Sequence, residues 1–204
     1  MVLAFAPTGT LALIVVASRH EGVFRFLVRE DSVLEWAQVV TYAAVVVIAA
    51  VSLHQLLRHA RYERAFVVVG LGLFSLMALG EELSWGQRLL GFETPDVLAQ
   101  NRQQEANLHN DPRFEQLSRV ALLIGGVYGV VVPVLKRRPR PLVPPRLAIP
   151  LFAVVAAYFG IRLMFLDKPT YVQAKFSEWP ELCFAGGIAL WCILAARGAR
   201  TRAG

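Results

Sequence analysis

Two cysteines are all that the 204-residue chain contains. Cys183 and Cys192 lie nine positions apart on one predicted helix, too far to bridge each other, and no Cys-x-x-Cys pair offers a metal clip. Familiar catalytic signatures are missing too: there is no His-Glu-x-x-His, no Gly-x-Ser-x-Gly elbow and no Walker glycine loop. Charge is sparse at 18% of residues, and acids are fewer than bases, leaving a net charge of +6. Lys and Arg are absent before Arg19, so the first apolar run lacks the basic flank of a cleaved signal and reads as a retained helix. Only one linker-like stretch occurs, the basic and proline-rich 135–145, and no second soluble domain fits beside it.

What the chain has is apolar surface: 56% of residues are hydrophobic and the mean hydropathy is +0.50. Apolar runs cover 2–18, 36–53, 65–80, 120–135, 147–166 and 182–196, most of them near the roughly 17 to 25 residues of a spanning helix. The expected fold is therefore all-α, a single polytopic membrane bundle over 1–204, with six spanning helices and a partly helical extracytoplasmic loop between the third and fourth. If both termini share a side, that side carries +10, crowded into short segments at helix ends, and the other carries −4. The positive-inside rule then makes both termini cytoplasmic, in an inner membrane. The basic balance is explained by topology and anionic lipid, without nucleic acid.

Small residues predict close helix packing: Ala153, Ala156, Ala157 and Gly160 on the fifth helix, Gly125 and Gly129 on the fourth, Gly186 and Gly187 on the sixth. A shift of 143 positions also matches Glu35-Trp36 to Glu178-Trp179, a faint echo between the first and last helical hairpins.

The end of the third run carries the chemistry. Glu81, Glu82, Ser84, Trp85, Gln87 and Arg88 follow Gly80 at once, and Glu105, Asn107, His109 and Asn110 lie later in the same connection. Lipid favours none of them, so each needs a partner or a purpose. A helix ending at Gly80 sets its exposed carbonyls against Glu81 and Glu82; one continuing to Gly91 puts Glu81, Ser84 and Arg88 on one face. The two acids read either as an ion-paired helix end held by Arg88 or as a carboxylate ligand or general base. Thr94-Pro95 predicts a short helix over 95–109, on which Asn101, Glu105 and His109 share an edge. Glu105 and His109 can then offer two ligands to a divalent metal, with Glu81 or Glu82 as a third, or serve as acid and base. Asp111-Pro112 predicts the start of the next spanning helix. Arg162, one turn inside the fifth helix, is expected to snorkel or to pair with Glu81, Glu178 or Glu181.

These elements resemble a group of bacterial multi-pass membrane proteins that carry Glu-Glu-x-Ser-Trp-Gly-Gln-Arg, a Thr-Pro turn and Asn-Leu-His-Asn, here Glu81 to Arg88, Thr94-Pro95 and Asn107 to Asn110. The resemblance implies a shared architecture and brings no catalytic roles. From the alkaline ceramidase-like hydrolases, which gather several histidines around zinc, the chain departs: His54 and His59 fall on the cytoplasmic side and His20 in another segment, leaving His109 alone in the motif. The expected site thus uses Glu81, Glu82, Glu105 and His109 for chemistry and Ser84, Trp85, Gln87, Arg88, Asn107, Asn110 and Arg162 for contact with a lipid or lipid-linked headgroup. No metal or cofactor is assigned. The alternative expectation is a non-enzymatic subunit that docks a membrane partner.

Overall fold

The structure, a computed structural model, describes residues 2–29, 32–98, 105–108, 111–136, 140–166 and 170–197. Its helices are α1 (Val2–Arg19), α2 (Glu21–Val28), α3 (Val33–Arg58), α4 (Tyr62–Glu82), α5 (Gln87–Leu90), α6 (Pro112–Leu135), α7 (Ile149–Phe165), α8 (Tyr171–Lys175) and α9 (Glu178–Arg197). Among the described residues there is no strand. Five segments, containing α3, α4, α6, α7 and α9, are long and apolar enough to cross a membrane. The first apolar run forms α1, whose described apolar stretch, Ala6–Arg19, is shorter.

Two helical hairpins, α3 with α4 and α6 with α7, flank α9, which touches all four. On α3 the buried residues Gln38, Tyr42, Val45 and Ala49 recur at three- and four-residue steps, one stripe of an otherwise apolar helix. Opposite that stripe, a Cβ on Gly72 of α4 would lie 2.7 Å from the Ala49 methyl, so the helices meet almost backbone to backbone. Phe152 of α7 is seated in two notches: a Cβ at Gly129 would run into its ring, and one at Gly187 would stand 2.7 Å from its Cζ. At Gly126 the neighbour is backbone itself, since a Cβ there would be 2.7 Å from the Ala156 nitrogen. Around this core Val40, Val47, Phe66, Leu73, Ile124 and Met164 are exposed. Apolar surface on every side of a bundle is surface that a bilayer solvates.

α1 lies along α7, and Gly9 takes the Trp179 ring while Thr10 Oγ1 accepts from Trp179 Nε1 (2.9 Å). Trp36, the counterpart of Trp179 in the sequence echo, is exposed, so the two matched positions have unlike surroundings.

The end where α4 finishes and α6 begins is the loop end. At the opposite end the basic linker is tied down, Trp191 Nε1 donating to Pro141 O (2.9 Å) and Tyr128 OH to Leu142 O (2.8 Å), and α4 is tied to the end of α9 by Arg64 Nη1 donating to Ala195 O (3.1 Å). Amphipathic rings at a helix end and cations on the last carbonyls suit a membrane interface.

Two polar groups lie deep in the bundle. Ser75 Oγ and Gln38 Oε1 are buried and find no partner among the described residues. A buried hydroxyl without a partner costs about 1–3 kcal/mol, so Ser75→Ala is expected to hold or raise the melting temperature. A fall in melting temperature would show that the hydroxyl has a partner in the membrane.

Candidate functional site

α4 does not run on to Gly91. Leu83 N–H still reaches Leu79 O (3.1 Å), but Ser84, Trp85 and Gly86 then take φ values of 48°, 51° and 88°, a left-handed turn closed by Gly86 N–H to Leu83 O (3.0 Å). The expected stripe of Glu81, Ser84 and Arg88 on one continuous helix is therefore not formed. Glycine accepts this conformation freely, whereas a serine and a tryptophan in it each cost about 1–3 kcal/mol.

Side-chain bonds made on both flanks offset that cost. Trp85 folds back over Gly80, where a Cβ would come within 2.9 Å of the ring, and its Nε1 donates to Glu81 Oε1 (2.8 Å). Ser84, fully buried, turns inward and donates to Glu105 Oε2 (3.0 Å) while accepting from Asn107 Nδ2 (3.3 Å). Asn107, also buried, donates to Glu105 Oε2 as well (2.6 Å). A carboxylate held by two such donors is strongly fixed in place.

The same short segment catches the returning chain by its backbone. Ala106 N–H donates to Gln87 Oε1 (2.5 Å) and Leu108 N–H to Glu81 Oε2 (2.6 Å), while Gln87 Nε2 donates to Thr94 Oγ1 (3.1 Å). These bonds account for a correction. The helix expected over 95–109 is replaced, among the described residues, by one 3-10 turn at Asp96–Leu98 and a non-helical 105–108. Two amide N–H groups that a helix would satisfy from within are instead taken by side chains of the α4–α5 corner. The i, i+4 pairing of Glu105 with His109 as metal ligands loses its helical basis.

His109 and Asn110 lie outside the described residues, as does the side chain of Arg88. Glu82, the last residue of α4, is partly buried. Among the described residues no cluster of three His, Cys, Asp or Glu can hold a metal ion. Arg162 pairs with none of its expected partners: it is buried, and Nη1 donates to Leu166 O at the end of its own helix (2.5 Å). Glu178 instead meets Gln38, whose Nε2 donates to its Oε2 (3.3 Å) and its carbonyl (3.2 Å). Gln38 and Tyr42 lie inside an apolar run, and only their i, i+4 spacing marks them in the sequence.

Asp111 anchors the far side of the connection. It caps α6 through Arg113 N–H (2.9 Å) and holds the Arg113 guanidinium through Nε (2.9 Å) and Nη2 (2.5 Å). The guanidinium bonds, aided by the backbone bond, lower the carboxyl pKa from its ordinary value to about 2. A lowered folded pKa stabilises above the unfolded value of about 4 and ceases to do so as pH falls toward 2. Acid titration of the melting temperature is expected to show this loss between about pH 4 and pH 2, and Asp111→Asn is expected to lower stability at neutral pH while flattening that step.

Taken together, the helices and the hydrogen-bonded connection at one end define an integral membrane helix bundle with a folded cap. No protein-family model, no curated protein and no solved structure matches this chain.

Proposed function

We propose that the chain is a multi-pass protein of a bacterial inner membrane with cytoplasmic termini, and that its loop end faces outward and binds or processes a lipid or lipid-linked headgroup. In this reading Glu81, Glu82, Glu105 and His109 supply acid, base or ligand groups. Ser84, Trp85, Gln87, Arg88, Asn107, Asn110 and Arg162 contact the headgroup. The observation that carries the reading is the left-handed Ser84–Gly86 turn, because non-glycine residues held in that region cluster where a fold positions functional groups. Here the turn aims a buried serine at a glutamate and an asparagine of the connection.

A second reading has its own support. Both Glu81 carboxylate oxygens and both ends of the Gln87 amide bond to this same corner and connection, as a purely structural clamp on an accessory subunit would require.

Conservative variants separate the two. His109→Gln and Glu81→Gln keep size and much hydrogen bonding but remove basicity or charge, and Glu81 is the carboxylate whose two oxygens hold the corner and the connection. A working site predicts loss of co-purified lipid with an unchanged melting temperature. A clamp predicts the reverse, a loss of about 1–3 kcal/mol for each unsatisfied buried group with lipid retained and no metal found.

Orientation is tested separately. Cysteine introduced by Asp96→Cys is expected to react with an impermeant thiol reagent on intact cells, and cysteine introduced by His59→Cys only after lysis. Equal labelling of the two positions contradicts the topology.

A further inference from the structure

A cleft of about 360 Å³ opens at the loop end between α1, the C-terminal half of α7 and α8. Its wall is formed by Ile14 and Ala17 of α1, Tyr158 of α7, Leu166, Val172 of α8 and Phe176 just after it. Ile14 is exposed, as are the neighbouring Leu11, Val15 and Met164, so the cleft opens on the lipid-facing surface of the bundle.

The roof of the cleft is fixed in place. α8 has only five residues, yet it carries a capping box, with Thr170 Oγ1 accepting from Gln173 N–H (3.3 Å) and Gln173 Oε1 from Thr170 N–H (2.9 Å). Tyr158 OH ties it to α7 by donating to Gln173 O (2.7 Å).

Behind the cleft stands a charge. Arg162 is 7% exposed, next to the Tyr158 hydroxyl and bonded to the carbonyl of Leu166, both residues of the cleft wall. Among the described residues no carboxylate lies within ion-pair distance of it. A guanidinium has five N–H donors, and the Leu166 carbonyl with the Tyr158 hydroxyl leaves three of them for a ligand. Arg162 lies about 5 Å along the axis from the end of its helix, at the loop end of the bundle. A buried cation in lipid calls for an anion, and a guanidinium favours the oxygens of a phosphate.

We infer that the cleft is the seat of an anionic phospholipid of the outward leaflet, with one acyl chain along α1, α7 and α8 and its phosphate on Arg162. This deepens the lipid reading above, in which Arg162 contacts the headgroup, by placing the tail.

The test uses purified full-length protein melted in neutral detergent with added phosphatidylglycerol, phosphatidylcholine or sodium phosphate. Phosphatidylglycerol is expected to raise the melting temperature, with at least tenfold weaker binding to Arg162→Gln and to Ser18→Phe, which fills the rim of the cleft. Arg162→Lys is expected to fall between wild type and Arg162→Gln, and it replaces that variant if the glutamine does not fold. Binding of phosphatidylglycerol to Ser18→Phe or Arg162→Gln at wild-type strength overturns the inference, as does equal stabilisation by phosphatidylcholine or by phosphate alone. Ser18 belongs to no part of the polar site. Undiminished binding in Ser18→Phe, alongside loss in His109→Gln, overturns the cleft and leaves the headgroup reading standing.

Discussion

Gly126→Leu is expected to be the most damaging single change in the bundle, lowering stability by about 3 kcal/mol or more and loosening the α6–α7 hairpin. Overpacking a core usually costs about 1–3 kcal/mol because side chains rotate out of the way. That escape is closed here. A Cβ at 126 would meet the Ala156 nitrogen at 2.7 Å and the Phe152 carbonyl oxygen at 3.1 Å, and backbone can yield only by separating the helices. Gly160→Ala is the matched control, since its nearest neighbours, Leu123 and Met164 side-chain tips at 3.7 Å, are at ordinary contact distance. It is expected to leave the melting temperature within about 1 kcal/mol of wild type, helped by alanine's better helix propensity. A milder effect at 126 than at 160 would show that α6 and α7 are not packed through Gly126.

Asn107→Leu is expected to have the second largest effect, and a different one. The substitution removes one donor amide that serves two acceptors, Ser84 Oγ and Glu105 Oε2, at a position only 1% exposed. Leaving a hydroxyl and a carboxylate short of a buried donor costs about 2–4 kcal/mol, the larger share from the charged group. The loss should be local. None of the helix–helix contacts of α3, α4, α6, α7 and α9 involves Asn107, so the bundle should still fold while the connection over 83–111 detaches and becomes sensitive to protease. Glu105→Gln should be milder, because the carboxamide oxygen can still accept from Asn107. Cooperative unfolding of the whole bundle by Asn107→Leu would contradict a locally held cap.

Most of the fold could be read in the sequence because its main signal is long-period and additive. Apolar runs near bilayer length give α3, α4, α6, α7 and α9, and Asp111-Pro112 marks the start of α6. Spacing gives the small-residue contacts only up to phase. Gly125 and Gly129 were legible as a pair, yet the backbone contact is at Gly126, while Gly125 seats the Phe184 ring. The residue types of the candidate site were also legible, since carboxylates and amides beside an apolar run demand partners. Their geometry was not. Trp85 turns left-handed because its ring rests on Gly80 and its nitrogen reaches Glu81, a closure that helical periodicity does not represent. Residues 105–108 give up helix because their amides find acceptors at Gln87 and Glu81, 19 and 27 positions back in the chain. Local propensity favoured the helix, and non-local hydrogen bonds replaced it.

Hydrogen exchange at the amides of Ala106 and Leu108, measured in lipid nanodiscs, tests most directly whether the polar connection is built onto the loop end. Both N–H groups donate to side chains of the α4–α5 corner, at 2.5 Å to Gln87 and 2.6 Å to Glu81. Exchange slowed by at least about a hundredfold relative to a free loop, roughly 2.7 kcal/mol of protection, is expected at both amides. Gln87→Leu should abolish it at Ala106 and Glu81→Leu at Leu108, with the spanning helices still protected. Free-loop exchange at both amides in the wild-type protein would contradict the account.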